Sequence, residues 1–211
     1  MPTCDDPTGL VPSLVAERLV LSRHTLDDFE ACAAMWGNPA VTRHIGGQPS
    51  SREDVWSRLL RYAGHWSLMG FGYWAIREKS SGRFAGEIGF ADFKRDIQPS
   101  FGGAPEIGWA LAPWAQGKGF ATEAVRAAIA WGDAKFERAR TVCLIAPDNL
   151  PSLRVAEKTG YREFVRTTYK TKPTILFERF PAYGTGVRAY KKPRKKTLPE
   201  PKSGSAFEQC S

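Results

Sequence analysis

The residues with the clearest chemical potential are Gln116-Gly117-Lys118-Gly119-Phe120-Ala121, a turn with two glycines between an apolar run ending at Leu111 and a long helical pattern. Glycine lets the backbone approach anionic oxygens closely. The start of a helix adds N–H groups without intrahelical acceptors, at the positive end of its dipole. Lys118 can supply a point charge, and Glu123 in the first turn is a favourable dipole partner as well as a plain structural residue. The chemistry on offer is anion binding; a tight strand-to-helix turn without a ligand fits the same residues. Two nucleotide motifs drop out. G-x-x-x-x-G-K-[ST] fails because Gly119 follows Lys118 where a magnesium-binding hydroxyl is required. G-x-G-x-x-G fails because Thr122 stands in the place of the third glycine.

Other reactive side chains are sparse. Cys4, Cys32, Cys143 and Cys210 contain no C-x-x-C pair, and two lie near the chain ends. Neither a disulfide framework nor a structural zinc site is expected, and this usage suits a reducing cytoplasm. His24, His44 and His65 lack metal-ligand spacing and read as surface or locally hydrogen-bonded residues, so no metal is expected. Trp36, Trp74 and Trp109 can line a pocket, but aromatic residues in strands and helices are more often core.

The elements that must position the turn follow from periodicity. Glu17 to Arg23 reads as a first strand. Thr25 caps a helix with Leu26, Phe29, Ala33 and Trp36 at the helical period, ended by Gly37-Asn38-Pro39. A second helix opens at Ser50 or Ser51 with Glu53 or Asp54 as capping-box partner; Val55, Leu59, Tyr62, Trp66 and Met69 form its stripe, and Gly70 closes it. Strands follow at 71–77, 83–93 and 106–111, separated by the turn 79–82 and the loop 96–104. The helix after the glycine turn runs to about Phe136. Thr141 to Ile145, apolar without alternation, predicts a strand buried on both faces. A short helix from about Pro151 to Thr159 and strands at 161–169 and 174–180 complete the pattern. Strand, glycine turn, helix, strand makes one parallel crossover among hairpins.

Composition sets the frame. The 211 residues, 42% hydrophobic with 7 Trp and 12 Phe, suit one packed domain. No apolar run reaches the ~20 residues of a membrane span, and Met1 to Leu14 lacks the order of a signal peptide. A soluble, cytoplasmic protein is expected. The net charge of +8 is uneven: from Pro181 onward seven Lys/Arg face two Glu, a net +5, leaving +3 for the rest. Residues 1–14 are read as an extension, 15–180 as the domain, and 181–211 as a basic, disordered tail.

One pattern does fit the turn: [QR]-x-x-G-x-[GA], met by Gln116, Gly119 and Ala121. It is the coenzyme A pyrophosphate motif of the GNAT acetyltransferases. Three further segments resemble the branch that holds ribosomal-protein N-terminal acetyltransferases: Glu17 to Arg23, Glu106-Ile107-Gly108-Trp109, and Asn149 to Tyr161. The resemblance covers Val15 to Phe180. It implies an α/β (α+β) GNAT fold, with a central mixed, mostly antiparallel sheet, a parallel splayed strand pair and flanking helices. It also implies acetyl-coenzyme A as cosubstrate.

Carried over residue by residue, the resemblance assigns the pyrophosphate to Gln116, Gly117, Lys118, Gly119, Phe120, Ala121 and Thr122, and the pantetheine arm to Trp109, Ala110 and Leu111. Asn149 would contact the arm while capping its helix, and Ser152 would sit near the thioester sulfur. The tyrosine that many members use to protonate the thiolate is replaced by Ala156. The implied reaction is direct attack of an amine, which needs a base: Glu106 is the first candidate and Glu87 the second. A covalent route through Cys143 is the lesser reading, since a cysteine in a buried strand is usually inert. An acyl-coenzyme A sensor without catalysis is an alternative; so is a nucleic-acid binder using Lys191 to Lys196, though only Tyr190 accompanies that run as an aromatic platform. Members are often dimers, so a homodimer is a further expectation. The acceptor amine, a small molecule or a protein N-terminus, is not specified.

Overall fold

The computed structural model describes residues 9–137 and 139–181. Its strands are β1 (Leu14–Val15), β2 (Leu19–Ser22), β3 (Tyr73–Glu78), β4 (Phe84–Ala91), β5 (Glu106–Leu111), β6 (Thr141–Ile145), β7 (Arg162–Tyr169) and β8 (Lys172–Arg179). Its α-helices are α1 (Phe29–Trp36), α2 (Pro39–Thr42), α3 (Arg52–Met69), α4 (Phe120–Lys135) and α5 (Leu150–Lys158). The strands form one sheet in the order β1-β2-β3-β4-β5-β6-β8-β7. Every neighbouring pair is antiparallel except β5–β6, because β6 is reached through the α4 crossover, whereas hairpin turns join β3 to β4 and β7 to β8. The expected mixed sheet with one parallel pair is therefore present.

Helices cover both faces. α4 and α5 pack over Trp74, Ile76, Ile88, Phe90, Ile107 and Ile145, while α1 and α3 pack over Tyr73, Ala75, Phe84, Ala91 and Ala110. Each large side chain buried this way contributes about 1.5–3 kcal/mol. The local signals explain α3: Ser51 N donates to Asp54 Oδ2 (3.0 Å) and Asp54 N to Ser51 Oγ (3.1 Å). Gly70 closes the helix in the left-handed region, at φ 67°.

Two expectations about the helix faces are corrected. Leu26 is 75% exposed, because residues 26–28 form a 3₁₀ turn before α1 begins; its tighter winding throws Leu26 outward, and Cys32, Met35 and Trp36 carry the buried face. Met69 is 37% exposed at the end of α3. The boundary before residue 15 is blurred: Leu14–Val15 pairs with Val20–Leu21, and Trp74 Nε1 donates to the Pro12 carbonyl (2.8 Å). Residues 1–8 and 182–211, with the expected disordered tail and its Lys191–Lys196 run, lie outside the described residues. Among the described residues no helix is long and apolar enough to cross a membrane.

Candidate active site

The glycine turn joins β5 to α4. Gly117 and Gly119 both adopt left-handed backbone, at φ 75° and 81°, and Gly119 is the N-cap of α4 without a side-chain cap. The N–H groups of Phe120, Ala121 and Thr122 therefore begin the helix with no acceptor inside it. Residues 116–119 are exposed. Gln116 braces the turn, its side-chain amide donating to the Leu111 carbonyl (3.0 Å). Arg18, just before β2 and given no role by the sequence, clasps it: Nη1 donates to the Lys118 carbonyl (3.0 Å), and Nε pairs with Glu123 Oε2 (2.9 Å). The Lys118 ammonium rests 4.8 Å from the Trp114 ring centroid.

β5 and β6 pair at one position, Glu106 opposite Val142, and open beyond it. A cavity of about 690 Å³ occupies the opening, with Ile107–Ala110 on one lip and Cys143–Ala146 on the other. Asn149 and Ser152 line it from α5; Asn149 Oδ1 caps that helix by accepting from Ser152 N (3.3 Å). Leu111 and the turn residues are not in its lining. Ala156 is fully buried, and Tyr161 is core, its hydroxyl 2.7 Å from Thr141 Oγ1.

The cavity extends over the α1/α3 face of β4 and β5, where two cross-strand rows are made mostly of small residues. Glu87 lies between Ala75 and Ala110, and Gly89 between Tyr73 and Gly108. Tyr73 reaches across Gly89, and a Cβ on Gly108 would sit 2.2 Å from its hydroxyl. The Tyr73 ring stacks on Tyr62 of α3 with centroids 4.5 Å apart and planes at 4°. Small residues on the sheet thus leave room that the helices roof over.

The two candidate bases differ. Glu106 is held from both oxygens by Arg95, at 2.5 Å from Nε and 2.7 Å from Nη2, and Arg95 also donates to the Tyr169 hydroxyl (3.2 Å). Burial pushes the Glu106 carboxyl up, against the pull of that guanidinium. Glu87 is fully buried; its Oε2 accepts from Trp36 Nε1 (2.9 Å) and Tyr62 OH (3.0 Å). Its Oε1 has no hydrogen-bond partner and lies 3.5 Å from His24 Nε2. Burial acts to raise the Glu87 carboxyl, but His24, Trp36 and Arg58 outweigh it and hold it below its ordinary value.

His24 is therefore no surface residue: its side chain is 8% exposed. Candidate ligand atoms of His24, Cys32 and Glu87 lie within 4.8 Å of one another, a grouping that spacing alone did not suggest. Burial and the nearby Glu87 push the Cys32 thiol up, which makes it a poor anionic ligand. His65 Nδ1 donates locally to the Arg61 carbonyl (2.9 Å), and His44 faces Asp148 at 3.2 Å. Trp36 and Trp109 line the cavity, whereas Trp74 is core. Cys143 reaches the cavity wall, with its thiol pushed well up by burial. Tyr62, Tyr73, Arg58 and Arg95 are further site residues to which the sequence gave no role; only the place of Tyr62 on the inward stripe of α3 and of Tyr73 in a strand was legible.

The profile of the acetyltransferase (GNAT) domain family matches residues 18–162. The chain is 27% identical over 187 residues to the Bacillus subtilis (strain 168) N-acetyltransferase YoaA, covering 88% of this chain and 99% of that one. It superposes on a structure assigned to the GnaT family from Bordetella pertussis with TM-score 0.70 and 34% identity, covering 80% of this chain and 99% of that one. The coenzyme A complex of RimL, a ribosomal L7/L12 alpha-N-protein acetyltransferase, shares the fold with TM-score 0.66 at 16% identity, covering 80% and 98%.

Proposed function

Since the chain belongs to the GNAT acetyltransferase family and is an acetyltransferase, we propose that it transfers the acetyl group of acetyl-coenzyme A to a primary amine, on a small molecule or a protein N-terminus, by direct attack in a ternary complex. The observation that carries this reading is one continuous cavity, lined by Trp109, Asn149 and Ser152 at the splayed strand edge and by Glu87 and Trp36 at the other end. Two substrates fit side by side only if such a space joins their sites.

The residues present fit the cosubstrate. Gly117 has nothing within 4 Å of where a Cβ would stand, so the turn can be approached closely, and α4 offers its first N–H groups to a pyrophosphate. Acetyl-coenzyme A supplies, when bound, an acetyl group activated as a thioester. Trp109 and Ala110 line the pantetheine side, and Asn149 adds a side-chain amide there. RimL with coenzyme A shows that this fold accommodates the molecule.

Glu87 is the better base. Its carboxyl lines the cavity and is ionised at neutral pH, held by Trp36 and Tyr62 at one oxygen and facing His24 with the other, whereas both oxygens of Glu106 are occupied by Arg95. In this reading Glu87 takes the proton of the arriving ammonium, and Trp36 and Tyr62 fix the orientation of its carboxyl. Glu106 is then a positioning residue, tying β5 to Arg95 and Tyr169 where the strands begin to part. In this reading Ser152, which lines the cavity, hydrogen-bonds the departing thiolate, which at a thiol pKa near ~8.5 by analogy with cysteine needs no strong acid. A covalent route through Cys143 is disfavoured by its suppressed ionisation.

The test is thiol release from acetyl-coenzyme A over a panel of amino acids, polyamines, aminoglycosides and N-terminal peptides. Intersecting initial-rate patterns support the ternary complex, and parallel ones refute it. Coenzyme A binding without turnover of any amine would make the protein a sensor.

A further inference from the structure

The acceptor half of the cavity is more cationic than an ammonium acceptor alone would favour. Arg95 and Glu106 neutralise each other there; what remains is Arg58, Arg61, Lys170 and Lys172 against Glu87. Arg61 and the two lysines are exposed, so solvent screens them. Arg58 is different. It is half-buried, its guanidinium carbon lies 3.8 Å from the Trp36 ring centroid, and its buried Nε has no hydrogen-bond partner. It forms no salt bridge among the described residues. A guanidinium flattened on an indole and lacking a carboxylate is a preorganised anion receptor, because the stacking fixes its plane while leaving its N–H edge to bond.

Its place relative to Glu87 gives the ligand a shape. Arg58 and Tyr62 stand one helical turn apart on α3, both line the cavity, and the Tyr62 hydroxyl donates to Glu87 Oε2, so one phenol lies beside both cation and base. A molecule with an amine at the Glu87 carboxyl and an anion at Arg58 must carry the two groups close together on a small frame. Trp36, Tyr62, Tyr73 and Phe93 supply apolar and aromatic walls around that frame. Building on the acetyl-transfer reading, we propose that the acceptor is a free α-amino acid with an apolar side chain, its carboxylate bound by Arg58 and its amine presented to Glu87. In the step itself the ammonium gives one proton to Glu87, the freed amine nitrogen forms a bond to the acetyl carbon, the carbon–sulfur bond breaks, and the second nitrogen proton passes to the departing thiolate, which leaves as coenzyme A.

The test separates binding from turnover. Isothermal titration of the full-length protein with coenzyme A present compares N-acetyl apolar amino acids, such as N-acetylphenylalanine and N-acetylleucine, with their carboxamides. The acid is expected to bind about tenfold or more tightly in at least one pair, since a site built for a charged group rejects the analogue lacking it. Arg58→Met should bring that ratio to about one, and Arg58→Lys, which keeps the charge and loses the fork, should retain part of it. Equal affinity or no binding across every pair overturns the proposal, as does a preference that survives Arg58→Met in protein whose melting curve matches the parent. Acetylation of amines without regard to a carboxylate would leave the transferase reading intact and sink this one. Acid preference without turnover would do the reverse.

Discussion

Glu87→Gln is the sharpest probe of the site, because the fold already holds the glutamine's hydrogen-bond partners. Trp36 Nε1 and Tyr62 OH both donate to Oε2, and an amide oxygen accepts them in the same place. The amide nitrogen then falls where Oε1 was, 3.5 Å from His24 Nε2, which in its neutral form can accept from it. No volume changes, so the stability cost is the lost charge assistance, about 1–3 kcal/mol. Catalysis loses more. An amide cannot take a proton, and removing a general base lowers kcat by about 10²–10⁴. That is about 3–5 kcal/mol of barrier. Thiol release at saturating substrates gives kcat, calorimetric titration gives the acetyl-coenzyme A affinity, and thermal melting reports the fold. The expected outcome is a folded protein with unchanged coenzyme affinity and a kcat down by two or more decades, on the order of the general-base term. A folded Glu87→Gln variant with kcat within about threefold of the parent refutes the assignment, since no base contributes so little. So does a Glu106→Gln variant that loses more in kcat than Glu87→Gln while its melting temperature is unchanged.

Three further outcomes follow from the same geometry. Gly119→Val forces a β-branched residue to φ 81° with its Cβ 3.4 Å from Arg18 Nη2, and should weaken coenzyme A by about a hundredfold or more through loss of two amide–phosphate bonds; titration showing retained affinity would overturn the cradle. Asn149→Ala should cost about 1 kcal/mol as a lost helix cap and raise the KM for acetyl-coenzyme A, whereas Asn149→Asp keeps the cap alone; a KM restored by Asp would leave Asn149 only a structural role. The Glu87 carboxyl is held below its ordinary value in the fold, so its stabilising contribution is present above the unfolded pKa near ~4.3 and is lost as pH falls through the lower folded value. Parent and Glu87→Gln melting temperatures, compared from pH 7 downward, should converge in that acid window, and a gap that widens there contradicts the sign.

The legible parts of this protein are those whose causes are local. The run stopped by Pro113 marks β5 and the unalternating apolar run marks β6, with the observed bounds Glu106–Leu111 and Thr141–Ile145, because a proline ends a strand and two-sided burial leaves a direct mark on a short run. Ser51 and Asp54 lie three residues apart, so the start of α3 could be read from spacing alone. The helical period puts Leu26 on the buried face although it is exposed, because a 3₁₀ turn and an α-helix share their first few apolar positions. Short elements such as Leu14–Val15 and α2 leave too few residues for any period to show.

The sequence by itself determined the glycine turn: two residues able to take positive φ, followed by a helix, fix its backbone from local residues alone. Tertiary structure decided how the carboxylates are held. Glu87 and Glu106 look alike along the chain. Arg95 comes from a loop 11 residues away to occupy both oxygens of Glu106, while Trp36 and Tyr62, 51 and 25 residues from Glu87, hold one of its oxygens and leave the other facing His24. A hydrogen bond depends on distance in space, and only the packing of α1 and α3 on the sheet brings those donors within reach.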